Sequence, residues 1–207
     1  MIAPWSRIPM PPDVAQLPRN SAGRPVPGNV AWYELDDDGS IPVADNTEYG
    51  PHVTCFCRAG HGTPRFGEQC PQRQRQFMTQ RHCGLCTKPI AETTELVFIG
   101  GTDIPYYLEP PLHCACADYA LKVCPVLGEG GDSIAVAVTT TYTLMELRIT
   151  GASHDGNLIE TVFPFQHPAA RHLGVLNFYL AFPEHPERLT APNWLAQRNP
   201  QRALTTP

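Results

Sequence analysis

The sequence predicts an α+β, strand-rich fold that contains a treble-clef-like zinc module, a small β unit and a Pro-rich N-terminal arm. Prolines make up 23 of the 207 residues, and frequent proline breaks long elements, so short strands and loops are favoured over a helical bundle. All eight cysteines lie between residues 55 and 124. After them the chain is β-branched and alternating, as strands are. The predicted segments are 1–50 (Pro-rich arm with a short strand), 51–127 (Cys/His zinc-binding module), 128–185 (β-rich unit) and 186–207 (Pro-rich tail).

Composition and charge restrict the class of protein. The formal net charge is −5, which argues against broad non-specific binding to nucleic acid. No run approaches the roughly 20 apolar residues that cross a bilayer, and residues 1–10 lack the apolar stretch of a signal peptide. We therefore expect a cytoplasmic protein with reduced thiols, in which bound metal explains the cysteines better than disulfides do.

The N-terminal half is expected to contain few regular elements. Residues 1–28 are Pro-rich without periodicity, which predicts an extended arm that is either a disordered lead-in or packed across a partner. A short strand is predicted at 29–35 and another at 95–100, with 106–108 pairing back as a hairpin. A helix is predicted at 111–123, because proline suits its first turn and Pro125 is expected to end it.

The segment after the cysteines is predicted to form the β unit. The glycines at 128–131 indicate a hinge-like break, and strands are expected within 133–150 and at 158–165. The apolar run at 173–182 indicates a further strand, with a short buried helix as the alternative. The chain is expected to be frayed from residue 198 onward.

One set of four residues has the spacing of a zinc site. Cys83 and Cys86 form a CxxC around a glycine, which lets a tight turn present two sulfurs to one ion. His113 and Cys116 are three residues apart at the start of the predicted helix and are expected to point the same way. A knuckle, a hairpin and a helix, in this order, indicate a treble-clef zinc finger. Buried free thiols are the alternative.

The identity of the fourth ligand is left open by the sequence. Cys114 stands two residues from Cys116 and could replace it, and Cys124 is either a further ligand or a core thiol. The predicted cofactor is therefore one Zn²⁺ in this region, with the fourth ligand to be decided by geometry.

A second zinc is possible upstream. Cys55, Cys57, His61 and Cys70 form a C-x-C-x3-H-x8-C pattern in a Gly-rich loop. The CxC spacing is less suited to one ion than CxxC, so free thiols or a redox pair are the alternatives.

The ligand types indicate structure rather than catalysis. Four Cys/His ligands close a zinc site, whereas a catalytic zinc keeps one position for water. The sequence contains no HExxH, P-loop or GxSxG motif. Residues 96–108 contain no histidine, the group that an HNH-type nuclease uses to activate water on its hairpin. No catalytic residue is therefore assigned.

One polar run is locally basic. Arg65, Arg73, Arg75 and Arg81 are interspersed with glutamines, and next to a zinc finger such a run could contact phosphate and bases. The alternative, which the acidic surroundings favour, is a solvated and partly helical linker between the two cysteine groups.

Two segments carry a resemblance to known sequences. Residues 83–86 (CGLC) and 109–125 (EPPLHCACADYALKVCP) resemble a group of uncharacterised zinc-binding proteins of actinobacteria and their phages, which share a CxxC, a hydrophobic strand and a PPxHxxCAxYAxxxCP pattern. The resemblance covers about the first 150 residues and implies a zinc-binding protein encoded by a phage or mobile element, in the cytoplasm of a bacterial host. It implies no activity.

The function predicted from these observations is that of a zinc-stabilised, non-enzymatic accessory factor that acts through protein–protein interaction. A nucleic-acid-binding zinc-finger module that uses the arginine run is the first alternative. A degenerate HNH-like metal-dependent nuclease is the second. The sequence predicts a protein partner without identifying it, and it leaves the oligomeric state open.

Overall fold

The computed structural model describes residues 7–34, 42–46 and 50–198. Its helices are α1 (Pro12–Ala15), α2 (Pro71–Gln80), α3 (Cys114–Val123), α4 (Pro125–Gly130) and α5 (Ala191–Arg198). Its strands are β1 (Val30–Tyr33), β2 (Val43–Ala44), β3 (His52–Val53), β4 (Thr63–Gln69), β5 (Leu96–Gly101), β6 (Ile134–Thr139), β7 (Tyr142–Ala152), β8 (Leu158–Pro164), β9 (Val175–Pro183) and β10 (Glu187–Thr190). No described helix is long and apolar enough to span a membrane.

In the described part of the chain, the strands form three sheets. The largest has the order β2-β3-β9-β7-β8, the second β10-β6-β5, and the third is the pair β1-β4. All pairings are antiparallel except that of β3 with β9. This mixed, strand-rich architecture confirms the predicted α+β class.

The main hydrophobic core draws on most of the described chain. It contains Val14 from the Pro-rich segment, Met78 and Phe98 from the cysteine region, and Leu176 from β9. Strand β5 also pairs with β6 along its whole length. The predicted segments 1–50, 51–127 and 128–185 therefore contribute to one shared core, and a sheet crosses the expected boundary at residue 127.

The described part of the Pro-rich arm packs against its own chain. Val14 on α1 and Val26 are fully buried, and the N–H of Val26 donates to the carbonyl of Pro18 at 2.9 Å. The two apolar side chains gain enough burial to fix a segment that composition alone would leave extended. Of the end predicted to be frayed from residue 198 onward, Arg198 is the last residue of α5, and residues 199–207, like residues 1–6, lie outside the described residues.

The predicted hairpin around residue 107 is wrong. Tyr107 pairs with Ala181 on β9, and it is Leu112 that pairs back onto Val97 of β5. The Tyr107 ring stacks on Phe98, with ring centroids 5.3 Å apart. A tertiary contact with a distant strand thus replaces the local turn pairing.

The predicted helix differs from expectation at its start. Helix α3 begins at Cys114, three residues later than predicted, but ends at Val123 as predicted, and Pro125 stands at the start of the separate helix α4. The strand interpretation of residues 173–182 is confirmed by β9. Strand β10 and helix α5 lie where the sequence predicted an irregular tail, and Trp194 on α5 is buried.

Candidate metal centres

Four of the predicted ligands converge at one point, here called the first cluster. The ligand atoms of Cys83, Cys86, His113 and Cys116 all lie within 4.8 Å of one another. The three cysteines are buried, and His113 is half-buried. Three thiols and one imidazole are a ligand set of structural zinc sites, so the first cluster can hold a metal ion and is compatible with zinc.

The orientation of the histidine suits metal binding. Its Nδ1 lies 3.4 Å from the Cys86 sulfur, and its Nε2 lies 3.2 Å from the carbonyl oxygen of Pro89. A neutral ring that donates Nε2–H to this carbonyl presents the Nδ1 lone pair to the thiols. Such an outer hydrogen bond fixes the tautomer and the ring orientation of ligating histidines.

The backbone of the CxxC turn positions its two sulfurs. The N–H of Cys86 points to the Cys83 sulfur at 3.5 Å, and the N–H of Thr87 donates to the Cys83 carbonyl at 2.9 Å. Thr87 has a φ of 66°, a left-handed conformation that closes the turn. The N–H of Gly84 donates to Pro111 at 2.9 Å, which ties the turn to the segment that leads into α3.

The other two ligands lie at the start of α3. His113 is the N-cap residue with an extended backbone, and Cys116 lies in the first helical turn. The partial positive charge of a helix N-terminus favours thiolate over thiol at this position. The helix therefore presents both ligands toward the CxxC turn.

Hydrogen bonds among the first-cluster thiols show where negative charge collects. Burial raises the pKa of Cys83, but hydrogen bonds from Cys116, Cys86 and His113 outweigh it and hold that pKa well below its usual range. The hydrogen bond to Cys83 correspondingly raises the pKa of Cys116. Without a cation, one thiolate is stabilised by the protons of its neighbours. A bound metal ion would replace these protons and let all three sulfurs ionise.

The geometry decides between the neighbouring cysteines. The Cys114 sulfur lies 3.8 Å from a carboxylate oxygen of Glu95, and neither Cys114 nor Cys124 belongs to the first cluster. Cys116 is therefore the residue that joins Cys83, Cys86 and His113.

Three thiols of the predicted upstream set also converge, and they are called the second cluster. The sulfurs of Cys55, Cys57 and Cys70 lie within 4.8 Å of one another. His61, the fourth residue of the predicted set, is exposed and does not join them. The second cluster can also hold a metal ion, but among the described residues it provides three ligands instead of four.

Backbone amides point at the sulfurs of the second cluster. The N–H of Cys57 lies 3.4 Å from the Cys55 sulfur, the amide of Trp32 hydrogen-bonds Cys57, and that of Arg73 hydrogen-bonds Cys70 at the start of α2. Hydrogen bonds from Cys55 and Cys70 lower the pKa of Cys57 to about 2. Amide donors of this kind stabilise thiolates, which are the form that binds metal.

The arginine run is not a solvated linker. Arg75 is buried on α2 and donates to the carbonyls of Asn177 and Val53 at 2.5 and 2.7 Å. Arg73 donates to the carbonyls of Gly28 and Val30 at 2.8 and 2.6 Å. These guanidinium groups connect α2 to neighbouring segments of the chain.

The other two arginines of the run also have partners. Arg81 donates to the carbonyl of Thr140 at 2.9 Å. Arg65 is exposed, lies 3.5 Å from a Glu68 carboxylate oxygen and covers the ring of Tyr33. The run therefore does not present a row of free cations to phosphate.

Some parts of both clusters have no recognisable signal in the sequence. The carbonyl of Pro89 and the amides of Trp32 and Arg73 act through the main chain, so their side-chain identity says nothing of their role. Only the fold brings them to the sulfurs.

No protein-family model, curated protein or solved structure gives a significant match to this chain.

Proposed function

We propose that the protein is a zinc-stabilised, non-enzymatic binding protein that acts through protein–protein contact. The observation that carries the proposal is the closed ligand set of the first cluster, in which four Cys/His groups surround one point. Zinc held by four protein ligands has no position for a reacting water, so it stabilises structure and does not activate a substrate.

The position of the first cluster within the core supports a structural role. Its three cysteines belong to the same core cluster as Phe98 and Tyr107. Zinc would fix the CxxC turn to α3, and its binding free energy would add to the free energy of folding. The order of a knuckle, strand β5 and then a helix with two ligands supports a treble-clef-like module, although β5 pairs along its length with β6 and locally only through the Val97–Leu112 bridge.

The largest sheet offers a surface for a protein partner. Strand β8 is at the edge of this sheet, and three of its aliphatic side chains, Leu158, Ile159 and Val162, are 50%, 46% and 42% exposed. An edge strand presents main-chain donors and acceptors that an added strand can pair with, while aliphatic side chains supply apolar contact. These features favour β8 as the partner-binding element.

The arginine contacts favour a protein partner over nucleic acid. Three of the four arginines of the run donate to main-chain carbonyls, so within this run only Arg65 lacks such a bond and is available for the phosphate contacts that dominate nucleic-acid affinity. The resemblance of residues 83–86 and 109–125 to proteins of actinobacteria and their phages supports an accessory role for a phage or mobile element in a bacterial cytoplasm.

The experiment compares capture of host proteins by three forms of the full chain, each loaded with zinc. Val162→Lys places a charge on β8, and Val126→Lys is the matched control, because Val126 is an exposed valine on α4, 74% accessible. We expect a defined host protein to be retained by the wild type and by Val126→Lys and lost by Val162→Lys.

Two results would contradict the proposal. The first is retention of no host protein by the wild type, whereas capture of the same proteins by all three forms would contradict only the assignment of β8. The second is cleavage of plasmid DNA by the zinc-loaded wild type with added Mg²⁺ or Mn²⁺, provided that the cleavage disappears with a substitution in either cluster.

A further inference from the structure

The second cluster is open on one side. Cys70 is 2% exposed, whereas Cys55 and Cys57 are half-buried. Phe56, which separates them in the sequence, is 82% exposed. The loop that carries Cys55 and Cys57 therefore lies at the surface, with Cys70 beneath it. A metal ion bound by these three sulfurs would have its fourth position toward solvent.

The turn that carries His61 is held in place on both sides. The N–H of His61 donates to the carbonyl of Arg58 at 3.0 Å. Gly62 has a φ of +80°, and a Cβ there would lie 2.2 Å from the carbonyl oxygen of Tyr33, so its backbone is packed directly on β1. On the other side Gly60, with a φ of +86°, lies against the ring of Pro18. His61 is thus kept at the surface while the three thiols converge.

The charge around the second cluster favours a neutral fourth ligand. Three thiolates and a divalent ion carry a net charge of about −1. Arg73 lies next to them, with its Nη1 3.3 Å from the carbonyl oxygen of Cys57, and offsets this charge. With Arg73 as the neighbouring cation, a neutral fourth ligand keeps the local charge near zero, whereas a fourth thiolate would add a further negative charge. A nitrogen ligand adds no charge and suits zinc.

We propose that Cys55, Cys57 and Cys70 form a three-thiolate zinc site whose fourth position, which none of the described residues fills, is exchangeable and takes a neutral nitrogen ligand of the imidazole type from a bound protein. A histidine side chain of a bound protein carries this group, so the second cluster is a coordination point for the partner. The inference rests on the proposed binding function and adds a zinc-dependent contact for a partner, separate from strand β8, which β9 and β7 separate from β3 in the same sheet.

The experiment uses the full chain loaded with Co²⁺, whose visible absorption bands report ligand type and number. Free imidazole is the probe, and it is titrated into the wild type, His61→Ala and Cys57→Ser. The Cys57→Ser form lacks one thiol of the second cluster and supplies the reference spectrum of the first cluster. Circular dichroism of each form checks that the fold is retained.

We expect imidazole to shift the cobalt bands of the wild type and of His61→Ala along the same saturating curve, and to leave Cys57→Ser unchanged. Bands that stay fixed in both the wild type and His61→Ala would overturn the inference. A shift seen only in His61→Ala would also overturn it, because the chain would then close its own site.

The two proposals fail in distinguishable ways. If the wild type and Cys57→Ser hold the same amount of cobalt, the second cluster binds no metal and the inference is wrong, while the first cluster still supports the proposed function. If the wild type binds cobalt only in the second cluster, the structural role proposed for the first cluster is wrong. The imidazole response then still tests the inference on the second cluster.

Discussion

Replacing Cys116 by alanine should cost far more stability than replacing its neighbour Cys114. Cys116 is 3% exposed and belongs to the first cluster, whereas Cys114 lies on the same helix, two residues away, and contacts Glu95. The packing contribution of one sulfur is about 1 kcal/mol, comparable to a buried methylene. This contribution applies in full to Cys116→Ala. For Cys114→Ala it is an upper limit, because Cys114 is only half-buried.

The metal contribution applies to Cys116 alone. A structural zinc supplies about 10–16 kcal/mol of apparent binding free energy in small zinc domains, and the net stability of a domain is about 5–15 kcal/mol. Losing even a third of the zinc contribution would cost about 3–5 kcal/mol. With a urea m-value of about 2 kcal/mol/M, the unfolding midpoint of Cys116→Ala should fall by about 2 M, against about 0.5 M or less for Cys114→Ala.

The assay is urea unfolding at neutral pH, with and without a zinc chelator, followed by tryptophan fluorescence. Trp32 and Trp194 are both buried, so both report on loss of structure. A chelator should destabilise the wild type and Cys114→Ala strongly and Cys116→Ala less, because only the zinc of the second cluster remains to be removed from Cys116→Ala. Equal midpoints and an equal chelator response for the two substitutions would refute the assignment of Cys116 as a zinc ligand.

Three further predictions concern the packing that positions the clusters. Gln74→Ala should lower the free energy of unfolding by about 2–4 kcal/mol, because the buried amide of Gln74 makes three hydrogen bonds to the main chain of Leu108 and Tyr179. The control is Gln76→Ala, at an exposed position on the same helix. An equal loss of stability for both substitutions in urea unfolding would contradict the prediction. Glu146→Gln should cost about 3 kcal/mol in the same assay, because it removes the carboxylate that lies 2.6 Å from the guanidinium of the buried Arg148. Glu68→Gln removes the carboxylate of an exposed pair, so a comparable loss of stability there would argue against burial as the cause. Burial raises the pKa of Tyr142 to about 12. The contribution of the protonated Tyr142 to stability is therefore present below the unfolded pKa of about 10 and is lost as the pH rises through 10 to 12. Tyr142→Phe should make the decline of stability between pH 10 and 12 less steep, and an unchanged slope would count against this prediction.

The positions of many strands could be predicted because they depend on local pattern. The alternation of β-branched residues predicted β6, β7 and β8 in nearly the right places. The CxxC and the HxxC were also local patterns, and the structure brings both pairs together. Spacing of this kind is sufficient when the ligands lie on one turn, because the backbone geometry of a turn or a helix start is fixed over three or four residues.

The contacts that depend on distant segments could not be predicted. Nothing near Tyr107 indicates that it pairs with Ala181 instead of β5. The spacing of His61 from Cys57 permits both to bind one ion, but the contact of Gly62 with β1 holds His61 at the surface. Sequence spacing gives the reach of a side chain, and tertiary packing decides where it points.

The burial of polar residues on α2 was also not predicted. The run of arginines and glutamines indicates a solvated surface, yet Gln74 and Arg75 are buried. Both side chains satisfy their polar groups with main-chain carbonyls of other segments. Composition counts such residues as solvent-facing because it contains no information on which carbonyls remain unpaired.

The central claim is that the chain holds two metal ions, one in each cluster. The most direct test is the zinc content per chain, measured by mass spectrometry on the purified wild type, Cys83→Ser and Cys57→Ser. We expect two zinc ions per chain for the wild type and the loss of one in each variant. A wild type with fewer than two zinc ions, or a zinc content that either substitution leaves unchanged, would contradict it.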